Sequence, residues 1–173
     1  MATSNSSRIG ANLNGASDGA TALFAVGSRV RGDDATEWIY VQANVALTTG
    51  QCVYLNQTFT AQLANVTNAI TGNVLAFSQG VFAASDFGWV ARKGTPIYVL
   101  ISGVSTVGGE LSVSASDSGT LSAAVSTTSG PITISGTLAG ISVIEATATA
   151  TARAVPSFVT YPRAVTLTGT GRG

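Results

Sequence analysis

Few residues in this 173-residue chain can do chemistry: eight carboxylates, eight Lys and Arg, one cysteine and no histidine. A general acid–base pair would have to be drawn from Asp18, Asp33, Asp34, Glu37, Asp86, Glu110, Asp117 and Glu145. Most of these read as turn residues, where a short carboxylate caps backbone N–H groups. A glycosidase needs two carboxylates facing each other across a cleft, and nothing in the sequence sets up such a pair. Without histidine there is no Ser or Cys triad, and the commonest metal ligand is missing. Cys52, in Gly50-Gln51-Cys52-Val53-Tyr54-Leu55, has no base to activate it and reads as a small buried strand residue. Lys93, the only lysine, follows no phosphate-cradling glycine loop. The expectation is a protein that is not an enzyme and holds no cofactor or metal.

Three shorter signals are weaker. Arg31-Gly32-Asp33 is the tripeptide that adhesion integrins bind, but any hairpin turn rich in Gly and Asp can contain it. Asn5-Ser6-Ser7, Asn56-Gln57-Thr58 and Asn65-Val66-Thr67 match the glycosylation acceptor pattern, without a secretory apolar core in the first twenty residues. Asp86, Arg92 and Lys93 fall near the aromatic strands. They read either as an ion pair with a neighbouring subunit or as solvated turn charges, and exposed pairs contribute only about 0–1 kcal/mol.

Bulk composition narrows the partners. Only 9% of the residues are charged and the formal net charge is zero, which argues against nucleic acid, whose phosphates demand excess Lys and Arg. No apolar run is long enough to span a membrane. A surface this poor in charge relies on Ser, Thr, Asn and Gly, or is covered by other protein.

These residues must be positioned by strands. Thr36-Glu37-Trp38-Ile39-Tyr40-Val41, and the stretch from Phe77 to Ile101, hold both tryptophans and three of the six phenylalanines. Such β-formers, punctuated by turns, mark the core. Strands are expected at Thr36–Ala43, Gln51–Leu55, Thr58–Leu63, Val74–Ala84, Trp89–Arg92 and Pro96–Ile101, with turns at Asn56-Gln57, Asp86-Phe87-Gly88 and Lys93-Gly94. Phe59, Leu63, Val66 and Ile70 sit at helical spacing, so one helical turn competes there. From Ser102 to Ala152 about two thirds of the residues are Ser, Thr, Gly or Ala, yet period-two alternation persists. Leu111–Ala115 should face Leu121–Val125 across Asp117-Ser118-Gly119. Flat Ser/Thr edges of this kind invite pairing with other chains. Pro156 and Pro162 restrict the segment between them to an edge strand or an extended strap. No exact internal repeat is present. The expected organisation is a flexible arm over residues 1–22, a single β domain over 23–167 and a flexible tail over 168–173.

Three stretches carry a family resemblance: Phe24-Ala25-Val26-Gly27-Ser28-Arg29-Val30 with Thr36–Ala43, then Gly80–Gly94, and Pro156-Ser157-Phe158-Val159-Thr160-Tyr161-Pro162. Together they resemble the decoration, or cement, proteins of tailed-bacteriophage heads, over about Phe24 to Arg163 and least between Ser114 and Ser129. The resemblance implies an all-β fold, a compact antiparallel β-barrel or jelly-roll-like sandwich with an extended N-terminal arm. It implies a non-enzymatic protein of the virion, made in the host cytoplasm, that sits on the outer capsid surface. There it would clamp major capsid protein subunits, itself associating as a homotrimer, with no nucleic acid or membrane partner. Interface residues expected on this basis are Arg8, Ile9 and Leu13 of the arm, Asp86, Arg92 and Lys93 of the central strands, and Phe158 and Tyr161 of the closing strand. The alternative is a head-fibre or receptor- or glycan-binding β module, with Tyr54, Phe87 or Tyr161 as stacking platforms.

Overall fold

A computed structural model describes residues 11, 13, 17–32, 35–69, 73–102, 110–114, 117–123, 132–139 and 153–166. Among them there are ten strands and no helix, so the chain adopts the all-β class expected from its alternation.

Strands β2 (Glu37–Ala43), β3 (Cys52–Leu55), β4 (Thr60–Leu63), β5 (Val74–Ser78) and β6 (Phe87–Ser102) close into a five-stranded barrel. β2 runs parallel to β4, and the pairings β4–β3, β3–β5, β5–β6 and β6–β2 are antiparallel. The barrel is therefore mixed rather than wholly antiparallel. Its interior is lined by alternate residues, Ile39, Val41 and Ala43 from β2, Val53 and Leu55 from β3, and Ala61, Ala76 and Val90. Leu47 and Phe82, joined as an isolated bridge, belong to the same cluster. The opposite face of β2 is not solvated: Trp38 and Tyr40 are also fully buried.

The remaining strands repeat this connectivity. β6, β7 (Glu110–Val113), β8 (Leu121–Ala123), β9 (Ile132–Ala139) and β10 (Arg153–Thr166) also pair in a closed circuit. β6 runs parallel to β8, while β8–β7, β7–β9, β9–β10 and β10–β6 are antiparallel. Each strand of the first ring thus corresponds to the strand four places later, and β6 serves both rings. The registers correspond as well. Ala43↔Ala61 matches Ile101↔Leu121, Leu55↔Ala61 matches Val113↔Leu121, and Val53↔Ala76 matches Leu111↔Ile134. In β2, β3 and β5 the matched positions stand a constant 58 residues apart, as for Ile39 and Ile97 (97 − 39). Ile97, Val99, Ile101, Leu111, Val113 and Leu121 are all buried, as their counterparts are.

Several local expectations change. Lys93-Gly94 is not a turn. β6 continues through it, with an irregularity where Glu37 faces Lys93 but Trp38 faces Ala91. Gly94 has φ +134, and a Cβ there would lie 2.9 Å from Thr36 Cα, so glycine lets β6 pass closely from one ring to the other. The Asp86-Phe87-Gly88 turn lies earlier, at Ala84 and Ser85, and Phe87 opens β6. The strand expected through Ala84 ends at Ser78. One turn with a helical hydrogen bond does form inside Phe59–Ile70: Ala69 N donates to Asn65 O at 2.9 Å, Asn65 Oδ1 accepts from Thr67 N and Asn68 N, and Asn68 Oδ1 accepts from Asn65 N. Those side-chain bonds cap the turn at its start, and no helix continues from it among the described residues.

The segment from Pro156 to Pro162 is an interior strand, not an edge, since β10 lies between β6 and β9. Its prolines are tolerated because of where the ladders break. Pro156 precedes the first β9 partner, Ser157↔Ala139, and Pro162 falls in the gap between Val159 and Arg163. The β6 ladder ends at Thr160, so no pairing requires the N–H that Pro162 lacks. The β7–β8 hairpin across residues 117–119 forms in the expected place.

Candidate functional site

The sequence-predicted site residues do not form one patch. Arg8 and Ile9 lie outside the described residues. Leu13 is inside the protein: it is 2% exposed and, with Ala11, belongs to the core cluster that includes Trp38, Tyr40 and Trp89. The free arm expected through residue 22 is thus, where described, docked on its own chain. Ala11 and Leu13 meet a ready-made aromatic face, so at those positions the burial deficit that argued for a free arm does not apply.

Asp86 belongs to this docking. Ser17 Oγ donates to Asp86 Oδ2 at 2.7 Å, and the same oxygen accepts from Ala83 N at 2.9 Å. Asp18 N donates to Phe87 O, and Phe87 N donates to Gly19 O, both within 2.8 Å. Tyr40 Oη donates to Asp18 Oδ2 at 2.8 Å and accepts from Leu23 N at 3.1 Å. Residues 17–23 therefore form a strap along the start of β6. Phe24 then packs edge-on against Tyr40 and Trp89, with ring centroids 5.3 Å apart in each case, while Phe87 stacks on Tyr40. Burial, reinforced by the Asp18 carboxylate, raises the Tyr40 phenol above its ordinary value of 10 despite the opposing backbone hydrogen bond from Leu23.

Arg92 and Lys93 are remote from Asp86, six or seven residues along β6 and so roughly 20 Å away. Arg92 is buried and Lys93 half-buried, so neither is a fully solvated turn charge. The register sets Lys93 against Thr160, between Phe158 and Tyr161 on the β10 backbone. Those positions are neighbours, and the strap with Asp86 is a separate group. Tyr54 and Phe87, candidates for stacking a glycan, pack against the core as partly buried residues. Cys52 is fully buried and its thiol is pushed up by desolvation, consistent with a core residue. Among the described residues no cluster of acidic, Cys or His side chains suits a metal, and no helix is long and apolar enough to cross a membrane.

Sequence reasoning missed two features. One is the strap contact of Asp18 with Tyr40, for which no local spacing signal exists. The other is β1 (Arg29–Arg31), which pairs only with β2. Every other described strand has neighbours on both sides, so within the described part of the Ser/Thr-rich half, β7, β8 and β9, no edge is left open. The turn after β1 carries the Arg31-Gly32-Asp33 tripeptide, whose Asp33 lies outside the described residues.

No protein-family model matches the chain, and no curated protein matches it either.

Proposed function

We propose that this chain is a decoration protein of a tailed-bacteriophage head, binding the outer capsid surface and stabilising contacts between major capsid protein subunits without catalysis. The observation that supports this reading is the family resemblance of Phe24–Val30, Thr36–Ala43, Gly80–Gly94 and Pro156–Pro162. These segments lie together in the fold: they build β1, β2, the first half of β6 and part of β10, the strands around the seam of the two rings. A rigid, charge-poor double ring suits a clip that adds many modest contacts, repeated around a symmetric shell. Homotrimer formation belongs to the same proposal.

Cosedimentation of the purified chain with shells that lack it, followed by imaging of the complexes, tests the reading. Saturable binding on the outer surface at sites between capsid subunits is the expected result. Purified chain that stays in the supernatant, or binds cell-surface glycans and ignores shells, would overturn it.

A further inference from the structure

We infer that the open edge of β1 is a docking site for an extended, acidic segment of a partner polypeptide, which joins the sheet as an added strand. The inference deepens the decoration reading by naming the chemistry of the partner contact, and its test does not depend on shells.

The backbone geometry sets up the edge. Tyr40 N donates to Ser28 O at 2.8 Å and Gly32 N donates to Thr36 O at 2.9 Å. With Val30 opposite Trp38 between them, residues 28, 30 and 32 turn their backbone groups toward β2. In an antiparallel pair the intervening residues then turn theirs away. The N–H and C=O groups of Arg29 and Arg31 therefore point to the open side, where no described strand meets them. Such a row of unpaired groups is a template for another strand.

Charge selects the occupant. Val30 packs against the core, while Arg29 and Arg31 are exposed on the other face. Among the described residues neither guanidinium has an ion-pair partner. Glu37 lies opposite Arg31, but the same residue also faces Lys93 across β6. Among the described residues Glu37 is thus the one carboxylate set against these cations, while Asp33 and Asp34, next after Gly32 in the sequence, lie outside them. A second copy of β1 would place arginines against arginines, which is unfavourable between adjacent strands. An incoming strand with Glu or Asp at alternate positions would instead meet both guanidiniums. The preceding loop adds apolar surface, with Leu23 63% and Val26 39% exposed. Val26 reaches the start of β1 through the tight turn closed by Ser28 N and Ala25 O.

The test uses the full chain and a short capped peptide of alternating glutamate and threonine, with a lysine–threonine peptide as control. In the free protein the Arg29 and Arg31 amides should exchange rapidly. The acidic peptide should slow both and bind with salt-sensitive affinity, while the control should not. Arg29→Ala with Arg31→Ala should weaken binding on the order of tenfold, the scale of two exposed charge pairs. Arg29→Pro with Arg31→Pro should abolish it, well beyond the loss in the alanine pair, since proline removes the outward N–H groups as well as the guanidiniums and leaves the β2 ladder intact. An unchanged melting temperature in both variants separates lost docking from lost fold. Slow exchange at Arg29 and Arg31 in the free protein, or peptide binding that survives the prolines, would overturn the inference. So would self-association that the prolines abolish, because a second copy would then be the occupant. Shell binding that persists in the proline variant would remove β1 from the shell contact without touching the decoration reading. Failure of the wild-type chain to bind shells would sink that reading and leave the peptide result to decide the edge.

Discussion

The two rings share a connectivity and a strand but differ in what fills and surrounds them. The first ring has an all-apolar interior and carries Trp38, Tyr40, Phe77 and Trp89 on its outer faces. Ser157 stands in the second ring where Val90 stands in the first, and Ser112, Ser114 and Thr120 are buried nearby. The strap and β1 are attached only to the first ring. The matched interior positions are no smaller in the second ring, with Ile101 for Ala43 and Leu121 for Ala61, so the difference lies in the aromatic surround of the first ring and the buried hydroxyls of the second. It also separates roles: the second ring is framework, and the first bears the features through which another chain can be met.

The comparison can be broken most severely at Phe82, which is 1% exposed and has no matching aromatic in the second ring. Phe82→Ala should cost about 3–5 kcal/mol. Because β6 is common property, chemical denaturation should still show one transition. Two transitions would mean that the rings are independent.

A sharper probe uses the matched pair Val41 and Val99, both completely buried. Each Val→Ala change should cost about 2 kcal/mol, from two buried methyl groups plus the cavity they leave. Equal losses would support equivalent interior positions, while a loss at Val99 of only a few tenths would show the second ring to be loosely packed.

The smallest expected effect lies at the strap. Tyr40→Phe removes the hydroxyl that links Asp18 and Leu23, and should cost about 1 kcal/mol. The raised phenol value favours the neutral form in the folded protein. Its contribution is therefore intact below pH 10 and is lost as the pH rises through the folded value. Melting curves across alkaline pH should show that loss in the wild type and a smaller one in Tyr40→Phe.

Much of the strand pattern was legible in the sequence. The hairpin across Asp117-Ser118-Gly119 and the turn at Asn56-Gln57 follow from alternation and turn chemistry alone. Lys93-Gly94 misled because glycine serves a turn and a close crossing equally well, and only the position of Thr36 separates the two. Pro156 and Pro162 misled because an interior strand can place its missing N–H groups at breaks in the ladder. Leu13 was illegible, since a lone leucine among small residues says nothing of the aromatic face awaiting it. The ring repeat did leave a trace, Ile39-Tyr40-Val41 and Ile97-Tyr98-Val99 at a spacing of 58 residues, too brief to separate from chance without the pairing. The open edge at Arg29 and Arg31 has no trace, because pairing on one side only is a property of the assembled sheet.

The division of roles is tested most directly by amide hydrogen exchange on the chain free and bound to decoration-free shells. The account predicts new protection at Arg29 and Arg31, with β7 and β8 unchanged. Protection gained on β7 and β8 while Arg29 and Arg31 exchange as before would contradict it.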